Sequence, residues 1–147
     1  GANRLQTSML TGTYNQSMDQ KGRMAFPSKL REIMGERLIV TKGVDGCLFV
    51  YSVEDFAQKA EKLKALPMAQ GLRLQRSFMA NAVELEADKQ GRILIPAILR
   101  SIAALEKDIT VVGVSDHCEI WDQKRWEEFN LSITDEMLMQ ALEGADF

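Results

Sequence analysis

An internal repeat is the feature that most constrains how this chain can fold. The segment DQKGRMAFPSKLR at 19–31 returns as DKQGRILIPAILR at 88–100, with aspartate, glycine, arginine, proline, leucine and arginine at the same six places. Between them, Met24 and Phe26 of the first copy correspond to Ile93 and Ile95 of the second, so apolar character is kept there. A repeat of this kind predicts a tandem duplication of one small folding unit.

Each copy is predicted to fold in the order β-β-α-β-β. A first strand runs into a glycine-containing turn and a second short strand, which is the pattern of a β-hairpin, and a proline then begins a short amphipathic helix. Two more strands follow, joined by a turn. The expected longer strands are 13–18, 38–41 and 47–51 in the first copy and 82–86, 109–114 and 118–121 in the second.

Helices are also predicted between the copies and after the second one. Ser52 has the position and chemistry of an N-cap, and a second helix is expected at 69–79. Asp122 and Thr134 are the expected caps of two short helices near the C-terminus. We therefore divide the chain into an expression remnant at 1–8, a first unit at 9–55, linking helices at 56–80, a second unit at 81–124 and an acidic helical tail at 125–147.

Charge is distributed unevenly along the chain. The formal net charge is −3. Residues 116–147 hold nine acidic and two basic residues, a balance of −7, which leaves 16 basic against 12 acidic residues, or +4, in residues 1–115. A weakly basic body is thus combined with an acidic C-terminal end.

Composition and motifs favour a globular protein without cofactor chemistry. Apolar residues make up 46% and charged residues 27% of the chain, no apolar run reaches the roughly 20 residues of a membrane span, and no secretory signal is recognisable. Cys47 and Cys118 are expected to be buried thiols, and His117 is expected at the surface of a turn. Without a GxxxxGK loop or a Ser-His-Asp set, we predict no metal, no cofactor, no small-molecule substrate and no enzymatic activity.

The arginine after the glycine of each turn, Arg23 or Arg92, is the main candidate binding residue. A guanidinium on a rigid turn donates in a fork that matches a phosphate or the O6/N7 edge of guanine in the major groove. This chemistry predicts double-stranded DNA as the partner. The other candidate DNA-binding residues are the cations of the same turns and the adjacent helices: Lys21, Lys89, Arg31 and Arg100.

A purely structural role for these turns stays open at this point. Glycine supplies a positive φ, and aspartate accepts hydrogen bonds from nearby backbone N–H groups, so the residues that shape the turns are Asp19, Gly22, Asp88 and Gly91. Each aspartate could pair with the arginine of its own turn and form a solvated lock. For Arg31 and Arg100, an intrachain salt bridge or carbonyl contact is as open as a contact with DNA.

Taken together, MLTGTYNQSMDQKGRMAFPSKLR, GVDGCLFVY, DKQGRILIPAILR and GVSDHCEIWD resemble the MraZ family, over about Met9 to Phe129. The resemblance implies an α+β fold of two tandem SpoVT-AbrB-like units that form one intrachain pseudo-twofold β-barrel-like core, with helices linking and flanking the units. It also implies a transcriptional regulator that binds short G-rich direct repeats in the promoter of a division and cell-wall operon, and that assembles into a ring-shaped homo-oligomer. The family's DNA-binding arginines fall on Arg23 and Arg92.

A ring reconciles DNA binding with the acidic net charge, because a weakly basic turn repeated around one face sums several contacts through effective concentration. The expected location is then the cytoplasm, in association with the nucleoid. Two other classes stay open: an oligomeric protein-interaction module without sequence-specific DNA binding, and a small-molecule enzyme or sensor with a pocket that the sequence does not reveal.

Overall fold

The computed structural model describes residues 9–147, so the segment at 1–8 that we interpret as an expression remnant lies outside the described residues. Both copies have the predicted order β-β-α-β-β, and the predicted α+β class is confirmed. The strands are β1 Thr13–Ser17, β2 Arg23–Ala25, β3 Arg37–Lys42, β4 Leu48–Ser52, β5 Val83–Glu86, β6 Arg92–Leu94, β7 Asp108–Gly113 and β8 Cys118–Asp122. The helices are α1 Ser28–Met34, α2 Val53–Lys64, α3 Met68–Ala80, α4 Ala97–Ile102, α5 Gln123–Ser132 and α6 Asp135–Gly144.

The strands form one six-stranded antiparallel sheet, in the order β1-β7-β8-β4-β3-β5, and a separate two-stranded ribbon of β2 and β6. When each strand is exchanged for its counterpart in the other copy, the sheet has the same order read from its opposite edge. In the part of the chain that the structure describes, no ladder joins the edge strands β1 and β5. The predicted barrel-like pseudo-twofold core is therefore not confirmed.

The predicted hairpin of first and second strands within each copy is wrong. Strand β1 pairs with β7 of the other copy, β5 pairs with β3, and β2 pairs with β6. Only one isolated bridge, between Met18 and Met24, joins the two sides of the first turn. An isolated two-stranded hairpin is marginally stable, whereas pairing of the second strands across the copies buries Met24 and Ile93, each 1% exposed, in the shared core.

Both copies contribute to the core. One cluster of buried side chains contains Phe26 and Leu30 from the first copy and Ile95 and Leu99 from the second. Since burying such a side chain contributes about 1.5–3 kcal/mol, neither copy can be removed without exposing the apolar face of the other. No helix that the structure describes is long and apolar enough to cross a membrane.

The predicted helix caps are confirmed. The side chain of Ser52 accepts a hydrogen bond from the backbone N–H of Asp55 at 3.1 Å at the start of α2. Asp122 caps α5 in the same way, with 3.4 Å between its carboxylate and the N–H of Arg125. Thr134 caps α6, and every residue of that helix is exposed.

The two cysteines and the histidine occupy different kinds of site. Cys47 and Cys118 are buried free thiols, as predicted, and burial raises the pKa of each to about 12. His117 lies in a turn, as expected, but it is partly covered, since 18% of its side chain is exposed. Its turn folds over β4, so that the imidazole lies 4.6 Å from the ring of Phe49 and 5.2 Å from that of Tyr51.

Thr41 connects the sheet to α3, and its replacement by valine is expected to destabilise the protein by about 1–2 kcal/mol. The fully buried Thr41 hydroxyl donates to the carbonyl of Phe78 at 2.5 Å, and valine leaves that carbonyl without a donor. Thr110 in β7 is the matched control, because it is equally buried and donates at 3.0 Å to the side chain of the exposed Asn15, which can turn to water. Urea unfolding measures both variants, and equal losses for Thr41→Val and Thr110→Val would contradict this account.

Candidate nucleic-acid interface

The first arginine turn is held by the carboxylate of Asp19. One of its oxygens accepts from the backbone N–H groups of Lys21 and Arg23, both at 2.9 Å, and the other accepts from Nε of Arg23 at 2.8 Å. Gly22 has a φ of 95°, a conformation that L side chains rarely adopt. The hydrogen bonds from Arg23 lower the pKa of Asp19 to about 2. The charged carboxylate therefore supports the turn above the ordinary aspartate pKa, and this support is lost only as the pH falls through about 2.

The second turn has the same geometry. Asp88 accepts from the backbone N–H groups of Gln90 and Arg92, both at 2.9 Å, and from Nε of Arg92 at 3.0 Å. Gly91 has a φ of 77°. The hydrogen bonds from Arg92 also lower the pKa of Asp88. The two copies thus contain the same turn, with the same hydrogen bonds between aspartate and arginine.

The pairing with aspartate leaves part of each arginine available. It uses Nε, and among residues 9–147 no acceptor forms a hydrogen bond with the terminal nitrogens of Arg23 or Arg92. Their side chains are 38% and 36% exposed. An aspartate that holds the Nε edge restricts the guanidinium before any ligand binds, which lowers the entropic cost of binding. The pairing of each arginine with its aspartate is therefore compatible with a role of that arginine in binding.

The ribbon of β2 and β6 brings the two arginines to one face. Met24 pairs with Ile93 and both side chains are buried, so the alternate positions on each strand face outward. Arg23 lies opposite Leu94, two residues from Arg92 on the neighbouring strand. Diagonal neighbours of this kind are about 7–8 Å apart in an antiparallel ladder. The ribbon therefore carries both arginines on one outward face.

The turns are also joined to each other through the backbone. The N–H of Phe26 donates to the carbonyl of Gly91 at 3.0 Å, and the N–H of Ile95 donates to the carbonyl of Gly22 at 2.9 Å. Each turn is thus bonded to the strand end of the other copy. The spacing of the two arginines is set by this reciprocal pair of bonds.

Arg31 and Arg100 form the carbonyl contacts that the sequence left open. Nε of Arg31 donates to the carbonyl of Phe26, and Nε of Arg100 to that of Ile95, both at 3.0 Å. Each half-buried guanidinium also lies against the glycine of the opposite turn, where a Cβ atom would approach within 2.5–2.7 Å. Arg31 and Arg100 therefore pack against the turns and stabilise them. Lys21 and Lys89 are exposed beside them.

The two copies of the turn also correspond to the pattern of a known family. The family model described as "MraZ protein, putative antitoxin-like" matches residues 9–73 and 78–145, and each matched segment contains one Asp-x-x-Gly-Arg turn. The chain belongs to the MraZ family. The resemblance that the sequence motifs indicated is thereby confirmed.

Several relatives carry the name "Transcriptional regulator MraZ". That of Heliobacterium modesticaldum is 50% identical over 83% of this chain and 87% of its own length. That of Caldanaerobacter subterraneus is 47% identical over 94% of this chain and 97% of its own length, and that of Lachnoclostridium phytofermentans is 51% identical over 88% and 92%. A solution structure of PHS018 from Pyrococcus horikoshii covers 74% of this chain and 92% of its own length at 14% identity, with a TM-score of 0.33, which is too low to support any argument.

The sequence of this MraZ chain did not lead us to predict one binding residue on the outer face of the ribbon. Leu94 is 52% exposed and lies opposite Arg23, two residues after Arg92, although its apolar neighbours Ile93 and Ile95 are buried. The sequence does indicate this exposure. Side chains alternate along a strand, so the residue between two buried isoleucines faces outward. Ala25 occupies the corresponding position on β2 and is also exposed.

Proposed function

We propose that this chain is a DNA-binding transcriptional regulator that inserts the β2–β6 ribbon into the major groove. The observation that supports this function is the presence of Arg23 and Arg92 on one outward face of a rigid two-stranded ribbon. The major groove, about 12 Å wide, admits such a ribbon. The relatives named as transcriptional regulators favour this role over an enzymatic one.

In this proposal the residues of the ribbon divide into three roles. Arg23 and Arg92 read guanine through the nitrogens that their aspartates leave available, because a guanidinium fork matches the O6/N7 edge. Leu94 offers an apolar contact for a thymine methyl group beside them. The exposed Lys21 and Lys89 neutralise phosphates, whereas Arg31 and Arg100 act mainly by supporting the turns. Phosphate contacts position the protein, and base contacts give it specificity.

The finer expectations follow from the family resemblance. The proposed sites are short G-rich direct repeats in the promoter of a division and cell-wall operon, read by a ring-shaped homo-oligomer in the cytoplasm, associated with the nucleoid. Repeats about one DNA turn apart, about 10 base pairs, would meet successive subunits on the same side of the duplex. Summed contacts of this kind overcome the repulsion of an acidic particle.

Arg23→Ala is expected to weaken binding to a G-rich direct-repeat duplex by about 1–3 kcal/mol, because it removes one base-reading fork. Affinity is measured as a function of salt concentration, by fluorescence anisotropy. The matched control is Arg37→Ala, which removes an equally charged residue that is 65% exposed and pairs with Glu84 in the large sheet. Equal effects of the two substitutions would contradict a specific role for the ribbon.

An oligomeric protein-interaction module is the alternative function, and the acidic, fully exposed helix α6 favours it. In that case the ribbon would be a structural element, and Arg23→Ala would leave DNA affinity at its nonspecific level. A stable protein partner recovered without DNA would support this alternative. The salt titration of the wild-type protein separates the two functions, since only the regulator distinguishes G-rich repeats from a mixed-sequence duplex.

A further inference from the structure

The outer face of the β2–β6 ribbon consists of two cross-strand pairs, each of one arginine and one aliphatic residue. Arg23 lies opposite Leu94, and Arg92 lies opposite Ala25. Leu94 is 52% exposed and Ala25 is exposed as well, so both aliphatic residues belong to the outer face. The two ends of the ribbon are therefore alike in their arginines and differ in the size of the residue opposite each arginine.

The backbone brings the two members of each pair close together. The N–H of Arg23 donates to the carboxylate of Asp19, and the carbonyl of Arg23 accepts from the N–H of Asp19. Arg92 and Asp88 form the same two bonds. Each arginine therefore forms a non-hydrogen-bonded pair with the residue opposite, and in such pairs the side chains are closer, with Cβ atoms about 4.5–5.5 Å apart. A leucine side chain thus adds apolar surface next to one arginine, whereas alanine adds little next to the other.

The difference between Leu94 and Ala25 breaks the symmetry of this outer face. A ribbon with two identical ends can lie in a groove in two directions, related by a half-turn, and both directions bring arginines to the same places. The lysines of the turns do not select a direction by sequence, because phosphates carry no sequence information. Leucine offers an apolar surface at one end, and the C5-methyl group of thymine is an apolar group in the major groove. The direction that brings these two together is therefore favoured.

We propose that Leu94 fixes the direction in which the ribbon lies on DNA, through contact with a thymine methyl group beside the guanine that Arg23 reads. This inference rests on the proposed function and deepens it, since it gives an orienting role to a residue outside the Asp-x-x-Gly-Arg turns. Arg92, which lies opposite Ala25, sets no such requirement on the base beside its guanine. The site of one ribbon is then not palindromic, although the chain is a tandem duplication.

Cleavage of DNA by a tethered iron–EDTA group measures the direction of the ribbon in the full chain. The group is attached through Gln20→Cys, an exposed position of the first turn, and it cleaves the duplex at the end where that turn lies. Cys47 and Cys118 are 1% and 0% exposed, so their thiols do not take up the reagent. The matched control is Gln90→Cys in the second turn, which is expected to cleave at the opposite end.

Three duplexes identify the group on DNA that determines the direction. The first has a short run of guanines with thymine on one side and cytosine on the other, the second exchanges these two flanking bases, and the third has uracil in place of the thymine. Cleavage is expected to favour one end of the first duplex about fourfold, the effect of one buried group of the size of CH₂, and the opposite end of the second. Uracil lacks the methyl group, so equal cleavage at both ends is expected for the third.

Exchange of the two aliphatic residues tests the role of Leu94 itself. Both positions are exposed, so the variant Ala25→Leu with Leu94→Ala replaces no buried side chain, and it is expected to reverse the direction of cleavage on both thymine duplexes. An unchanged direction in this variant, or equal cleavage at both ends by the tethered chain with the natural residues, would overturn the proposal and leave DNA binding by the ribbon intact. If that chain cleaves neither end, the ribbon does not bind this DNA, and the proposed function fails together with the inference.

Discussion

A chain with alanine in place of both Arg23 and Arg92 is expected to lose sequence-specific DNA binding. Removing one base-reading arginine costs about 1–3 kcal/mol, so the pair is expected to cost roughly 2–6 kcal/mol, a loss of at least about thirtyfold. Competition between G-rich and mixed-sequence duplexes measures the loss directly.

Lysine at the same two positions separates base reading from simple charge. Lysine keeps the positive charge but lacks the planar fork, so it retains attraction to phosphate and loses the paired bonds to guanine. The double lysine variant is therefore expected to keep the salt dependence of the wild-type protein and to lose its preference for G-rich repeats. If this variant still prefers those repeats, the arginine forks do not read the bases.

Local patterns were sufficient to predict the elements of this fold. Ser52, Asp122 and Thr134 were recognisable as caps because a small polar residue before an amphipathic stretch satisfies the first free N–H groups of a helix. The arginine turns were recognisable because glycine and aspartate specify a tight turn within a few residues. Such features depend on neighbours in sequence, which the sequence displays directly.

Strand partners could not be predicted in the same way. Met24 is apolar whether β2 pairs with β1 or with β6, so alternation alone does not identify the partner. The duplication adds a second difficulty, because each strand has a near-equivalent in the other copy. The partial burial of His117 was not predicted for the same reason, since Phe49 and Tyr51, which lie against its ring, come from the other copy.

The exchange of strands gives the arginine turns a property that separate hairpins would lack. Because Gly22 bonds to Ile95 and Gly91 to Phe26, a displacement of one turn is transmitted to the other. The packing of the helix arginines also connects the two copies, because Arg100 lies against Gly22 of the first copy and Arg31 lies against Gly91 of the second. The two candidate readers therefore behave as one unit, and damage at one turn is expected to weaken both.

Gly22→Ala is expected to destabilise the protein by about 2–5 kcal/mol. Alanine at a φ of 95° carries a conformational cost of about 1–2 kcal/mol. Its Cβ atom would also lie 2.7 Å from the carbonyl oxygen of Ile95, a backbone atom that accepts a hydrogen bond from Nε of Arg100. Relief of this contact requires a backbone shift, and overpacking of this kind costs a further 1–3 kcal/mol or so. Urea unfolding measures the total.

The other turn supplies the matched control for this prediction. A Cβ atom on Gly91 would meet the guanidinium of Arg31 at 2.5 Å, which is the flexible end of a long side chain and can move aside. Gly91→Ala is therefore expected to cost only the conformational part, about 1–2 kcal/mol. Equal losses at both glycines would show that the backbone contact at Ile95 does not limit the first turn. A larger loss at Gly22 would show that the two turns, although equal in hydrogen bonding, differ in how firmly the opposite copy holds them.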